Sequence, residues 1–170
     1  MFSSVRQNKI KRAYEQTIVE KQCMTDKEDK ALEIAIQTFA EIKTRFPHLQ
    51  IIDNRDAPVE LSVIIPVQQG LKHEVNLNFQ NRDELHFSVS HLWLRWFPCT
   101  NPTYVNEYLD AVSGFLSGKY QIIEHYRGSK CFKAEFQSPC GKDWKTIATS
   151  NPFQLTFPWE KRRLEKVSNT

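Results

Sequence analysis

Hydrophobic and polar side chains alternate most cleanly between Leu71 and Val89. Leu71, His73, Val75, Leu77 and Phe79 alternate with Lys72, Glu74, Asn76, Asn78 and Gln80, the period of a strand with one buried face. Asn81-Arg82-Asp83 reads as a hairpin loop, after which Leu85, Phe87 and Val89 resume the alternation. Pairing Gln80 with Glu84 sets Phe79 opposite Leu85, Leu77 opposite Phe87 and Val75 opposite Val89, all on one face. A slip of one residue would set each apolar side chain against a polar one, so the pattern selects this register. Continued outward, it sets His73 opposite His91 and Leu71 opposite Trp93.

The same reading extends along the chain. Val59, Leu61, Val63, Ile65 and Val67 alternate, with Pro66 arguing for an edge or a bulge, and Gln68-Gln69-Gly70 turns into Leu71. This predicts a first meander of three strands over 59–97. From Leu92 the apolar phase moves to even positions, which predicts either a bulge near Ser90 and His91 or a strand covered on both faces. Upstream, Ser4 with Gln7 and Thr25 with Glu28 read as capping boxes, giving two N-terminal helices within 5–46. The first runs over 5–23; the second carries Leu32, Ala35, Ile36, Phe39, Ile42 and Phe46 at helical spacing and ends at Pro47.

Asn101 as N-cap, Pro102 at the first turn and Gly118 as the stop predict a helix over 102–117, in which Gly114 signals a close backbone approach. A second meander over 120–157 follows. Tyr120–Arg127 and Cys131–Gln137 flank Gly128-Ser129. A two-residue loop would align Ile123 and His125 with Ala134 and Phe132, whereas a three-residue loop would align Ile122 and Tyr126 with Phe136 and Phe132; the pattern allows both. Trp144–Thr149 and Phe153–Phe157 are the remaining strands, and the charged tail 160–170 is expected to hold one or two helical turns up to Val167. The expected fold is a single α+β domain over 1–170. It has one antiparallel sheet of six to seven strands, made of two meanders, with helices on one face and a helical N-terminus.

Composition adds limits. The 170 residues are 40% hydrophobic and 25% charged, ordinary for a globular domain that buries its own core. Cys23, Cys99, Cys131 and Cys140 form no C-x-x-C pair, and Met1-Phe2-Ser3-Ser4-Val5-Arg6 holds no apolar signal region. Reduced thiols and a cytoplasmic location are therefore expected. No apolar run approaches the roughly 20 residues of a membrane span. The net charge of +3 is uneven: residues 25–118 carry eight basic and thirteen acidic side chains, residues 119–170 ten and five.

No P-loop, dinucleotide fingerprint, G-x-S-x-G, H-E-x-x-H or deaminase pattern occurs, which lowers the expectation of an enzyme. No catalytic residue, metal or cofactor is assigned. The leading expectation is a non-enzymatic module that binds another protein, in the manner of small cytosolic inhibitors, immunity proteins or chaperones, through His91, Trp93, Arg95 and Trp96. Its order of helix, three strands, helix and further strands resembles, in topology alone, that of type III secretion chaperones. A second expectation is nucleic-acid binding by the basic, aromatic second meander, through Lys130, Lys133, Lys142, Trp144 and Lys145. A third is a hydrolase built on His73 and His91. Two imidazoles need a third ligand to hold zinc, and His125, Glu74 and Glu124 are the candidates.

Overall fold

The computed structural model describes residues 28–152 and 159–169. The helix predicted over 5–23, the capping residue Thr25 and the strand at 153–157 lie outside them.

Helix α1 covers 28–45 and buries Ala31, Ala35, Phe39 and Ile42, one stripe at helical spacing. Ile36, expected on that stripe, is 51% exposed, because Ala35 and Phe39 already face the core and Ile36 lies a full 100° round. Five strands follow: β1 (Ile52–Asp53), β2 (Leu61–Ile65), β3 (Val75–Gln80), β4 (Glu84–Val89) and β5 (Leu92–Trp96). They form one antiparallel sheet in chain order. Gln80 pairs with Glu84, Phe79 with Leu85 and Leu77 with Phe87, the register that the alternation selects.

The third predicted strand is two strands. Val89 pairs with Leu92, so Ser90 and His91 are the central residues of a tight hairpin turn, with Ser90 in the left-handed region at φ 53°. The shift of apolar phase is therefore a reversal of direction rather than a bulge. Both strands keep their apolar residues inward: Leu85, Phe87 and Val89 on β4, Leu92 and Leu94 on β5. His73 precedes β3 and His91 caps the β4–β5 turn, so the expected pairs of His73 with His91 and Leu71 with Trp93 do not form.

Helix α2 (Pro102–Leu116) has the predicted ends. Asn101 accepts a hydrogen bond from the Thr103 N–H, and Gly118, at φ 72°, donates to the Phe115 carbonyl. A Cβ on Gly114 would lie 2.4 Å from the Tyr120 ring, so the close approach is to the segment leaving the helix.

The remaining strands are β6 (Gln121–Arg127), β7 (Lys130–Cys140), β8 (Asp143–Ser150) and β9 (Arg162–Val167), ordered β8-β7-β6-β9 in a sheet of their own. The expected single sheet is thus two antiparallel sheets. Alternation tells which face of a strand is dry, but not which edges join. What unites the sheets is a common core: Phe87 of the first packs edge-on against Phe115 of α2 at 5.9 Å and Phe136 of β7 at 5.8 Å. Residues 162–167, expected to be helical, form β9, whose backbone pairs along β6 while its charged side chains keep this edge in solvent.

The hairpin of β6 and β7 uses both alternatives in turn. Arg127 pairs with Lys130 and Tyr126 with Cys131 across a two-residue turn; a bulge then brings His125 opposite Lys133 and Ile122 opposite Phe136. The extra residue, Phe132, lets Cys131 and then Ala134 and Phe136 all face inward despite the odd spacing.

Candidate functional site

The four residues expected to bind protein are divided between positions. On β5, Trp93 and Arg95 point away from the core, opposite Ser88 and His86 of β4. Trp96 turns inward, its ring edge-on to Tyr108 at 5.3 Å. His91 sits at the turn. The Trp93 ring is 48% exposed and lies on the buried His86 ring at 4.9 Å and 28°. Glu84 is 2.9 Å from His86 Nε2 and 3.5 Å from an Arg95 guanidinium nitrogen, and the Gln80 amide also reaches His86. Arg95 and Trp96 also line a cleft of about 360 Å³ between α2, β5 and β8, floored by Leu94, Ala111 and Phe136 with Glu107 and Asp110 at its rim.

Burial pushes His86 below the ordinary histidine value; the Glu84 carboxylate opposes this and the Arg95 charge adds to it. The unfolded chain therefore takes up this proton first as the pH falls. The contribution of neutral His86 to stability is complete above pH 6.5 and is lost progressively below it. Carboxylates that are held low lose theirs only below 4.5, as Glu124 shows. Urea midpoints should decline between these two values in the wild type and stay level in His86→Gln; parallel curves would refute it.

On the second sheet, Lys130 opens the eleven-residue β7 and Lys142 lies just past its other end, roughly 35 Å away at about 3.3 Å per residue. Lys133 is engaged by Glu135, which also lies 3.5 Å from His125. Cations meet aromatic rings elsewhere: Lys166 over Trp144 at 5.9 Å and Arg127 over Phe132 at 5.2 Å. Lys130 and Lys133 thus lie toward one end of the β7–β8 ribbon, and Lys142, Trp144 and Lys145 together at the other.

The densest constellation lies where the sheets meet. Glu124, 1% exposed, accepts the His91 backbone N–H at 2.9 Å through Oε1 and the Tyr126 hydroxyl at 2.6 Å through Oε2. His91 Nδ1 is 3.2 Å from Glu124 Oε2 and 3.2 Å from the Tyr126 oxygen. Cys131, fully buried and paired with Tyr126 across β6 and β7, completes it: the donor atoms of His91, Glu124 and Cys131 all lie within 4.8 Å of one another. Burial pushes the Glu124 carboxyl up, but hydrogen bonds from Tyr126, the His91 N–H and Ser90, with the nearby imidazole, outweigh it and hold the group below the usual range. Tyr126 and Cys131 are both pushed up, by burial first; the Glu124 charge adds to both. A buried thiol so disposed is a poor nucleophile.

Sequence reasoning reached His91 and, as one of three alternatives, Glu124. It passed over Tyr126, two residues along β6 from Glu124 on the same face, and Cys131, whose inward face depends on the bulge at Phe132. Glu124 and His125 face opposite sides of β6, as neighbours on a strand must. Cys99, Cys131 and Cys140 are free thiols, and no helix among the described residues is long and apolar enough to cross a membrane. The architecture is that of an α+β protein of two antiparallel sheets about one core. No protein-family model, curated protein or solved structure matches the chain.

Proposed function

We propose that the protein is a non-enzymatic module that binds another protein along β5. The observation that carries this reading is the half-exposed Trp93 ring held flat on buried His86, with Arg95 beside it. Tryptophan and arginine dominate binding energy at interfaces, and a ring already fixed by a packed partner loses little freedom on docking. The adjoining cleft, apolar at its floor and acidic at its rim, offers a recess for a side chain of the partner. Immobilised full-length protein should capture a partner from native lysate, and Trp93→Ala should weaken that complex by about 30-fold or more, the roughly 2 kcal/mol of an interface anchor. Trp144→Ala, on the other sheet, should leave it unchanged. A partner-free monomer, or capture indifferent to Trp93, would overturn the proposal.

A second reading, nucleic-acid binding by the outer surface of the second sheet, is favoured by the Lys166–Trp144 and Arg127–Phe132 pairs, which set stacking rings beside cations. In the same experiment it would show as captured nucleic acid that is released by salt and lost in Trp144→Ala.

A further inference from the structure

Three side chains at the joint between the sheets are of the types that bind zinc, and they come from segments far apart in the chain. His91 belongs to the β4–β5 turn of the first sheet, whereas Glu124 and Cys131 project from β6 and β7 of the second. Tetrahedral zinc, bonded at about 2.0–2.3 Å to nitrogen, oxygen and sulfur, sets its donor atoms roughly 3.3–3.7 Å apart. The 3.2 Å between His91 Nδ1 and Glu124 Oε2 is close to that spacing, and the thiol lies within 4.8 Å of both. We propose that His91, Glu124 and Cys131 form a zinc site that ties the first sheet to the second.

The chemistry of the pocket favours a cation. Glu124, 1% exposed, and the fully buried Cys131 bring a carboxylate and a thiol within 4.8 Å of each other away from solvent. A divalent ion placed between them would stabilise carboxylate and thiolate together. On binding, a zinc–sulfur bond replaces the S–H bond of Cys131 and the thiol proton leaves to solvent. Tyr126, donating to Glu124 Oε2 at 2.6 Å, serves as a positioning residue that orients the ligating carboxylate. The His91 side chain, 38% exposed, leaves a route for the ion and for a water as fourth ligand.

The test uses the full chain, stripped with chelator and then given one equivalent of Zn²⁺ or Co²⁺. Wild type should retain the ion through dialysis, gain thermal stability with zinc, and show a thiolate-to-cobalt charge-transfer band in the near ultraviolet. Cys131→Ser should lose the band. His91→Ala, which keeps the backbone N–H that Glu124 accepts, should bind zinc about 100-fold more weakly or worse and show no thermal gain, whereas Tyr126→Phe should lose only roughly 10-fold, as outer partners do. Failure of wild type to retain either ion would overturn the site, as would a cobalt spectrum without thiolate character or affinity unchanged by His91→Ala. Should Cys131→Ser not fold, the wild-type band and the His91→Ala affinity decide the matter on their own.

Discussion

Phe87→Ala is expected to destabilise the protein by about 3–5 kcal/mol, the cost of truncating a fully buried aromatic ring. Its ring touches both Phe115 and Phe136, so the cavity opens against α2 and the second sheet at once. No neighbour can collapse into it without leaving another contact. If the two sheets form one cooperative unit, tryptophan fluorescence and far-ultraviolet circular dichroism should report a single urea transition in wild type and variant alike. The midpoint should fall by about 1–3 M for a slope near 2 kcal/mol per molar urea. Two separate transitions, or a loss under about 1 kcal/mol, would show that the sheets are held independently.

Glu124→Ala is expected to cost about 3 kcal/mol for a different reason. The carboxylate accepts from the His91 backbone and from Tyr126, and removing it strands those donors in a dry site at about 1–3 kcal/mol each. Tyr126→Phe, which removes one donor and leaves the carboxylate its other partners, should cost about 1 kcal/mol. The pH dependence has a definite sign. Because the folded carboxyl titrates below its unfolded value of 4.5, its contribution is complete above that pH and disappears as the pH falls through the lower folded value. Stability curves of wild type and Glu124→Ala, recorded with chelator present to remove any metal contribution, should therefore converge in acid. A gap that persists there would mean that lost packing rather than charge accounts for the effect.

These two positions also mark the boundary between local and long-range information. Phe87 was legible as a core residue from its place in an alternating run, and its partner Leu77 from the register that the run imposes. The ends of α2 were equally plain, since Asn101, Pro102 and Gly118 act on backbone groups within a turn or so of themselves. The site was only half visible. His91 and Trp93 stood out as residue types, but the phase shift at Ser90 reads from the pattern as a bulge or as a strand covered on both faces, and the turn found there places those side chains at quite different points. Glu124 was one of three candidates for a third ligand, with nothing in the pattern to choose it, and Cys131 was one reduced thiol among four. Arg162–Val167 carried no face at all, so its conformation depended on finding the open edge of β6.

What the chain determined by itself is therefore whatever rests on neighbouring residues: the period of each strand, the helix caps, the tight turns other than that at Ser90 and His91, and the identity of most core positions. Only the tertiary structure decided that the meanders close into two sheets, that Phe132 bulges out to turn Cys131 inward, and that His91 meets Glu124 across the joint. The physical reason is that burial is sensed by each side chain separately and leaves a periodic trace. The pairing of strand edges is made by backbone groups that are the same in nearly every residue and leave none.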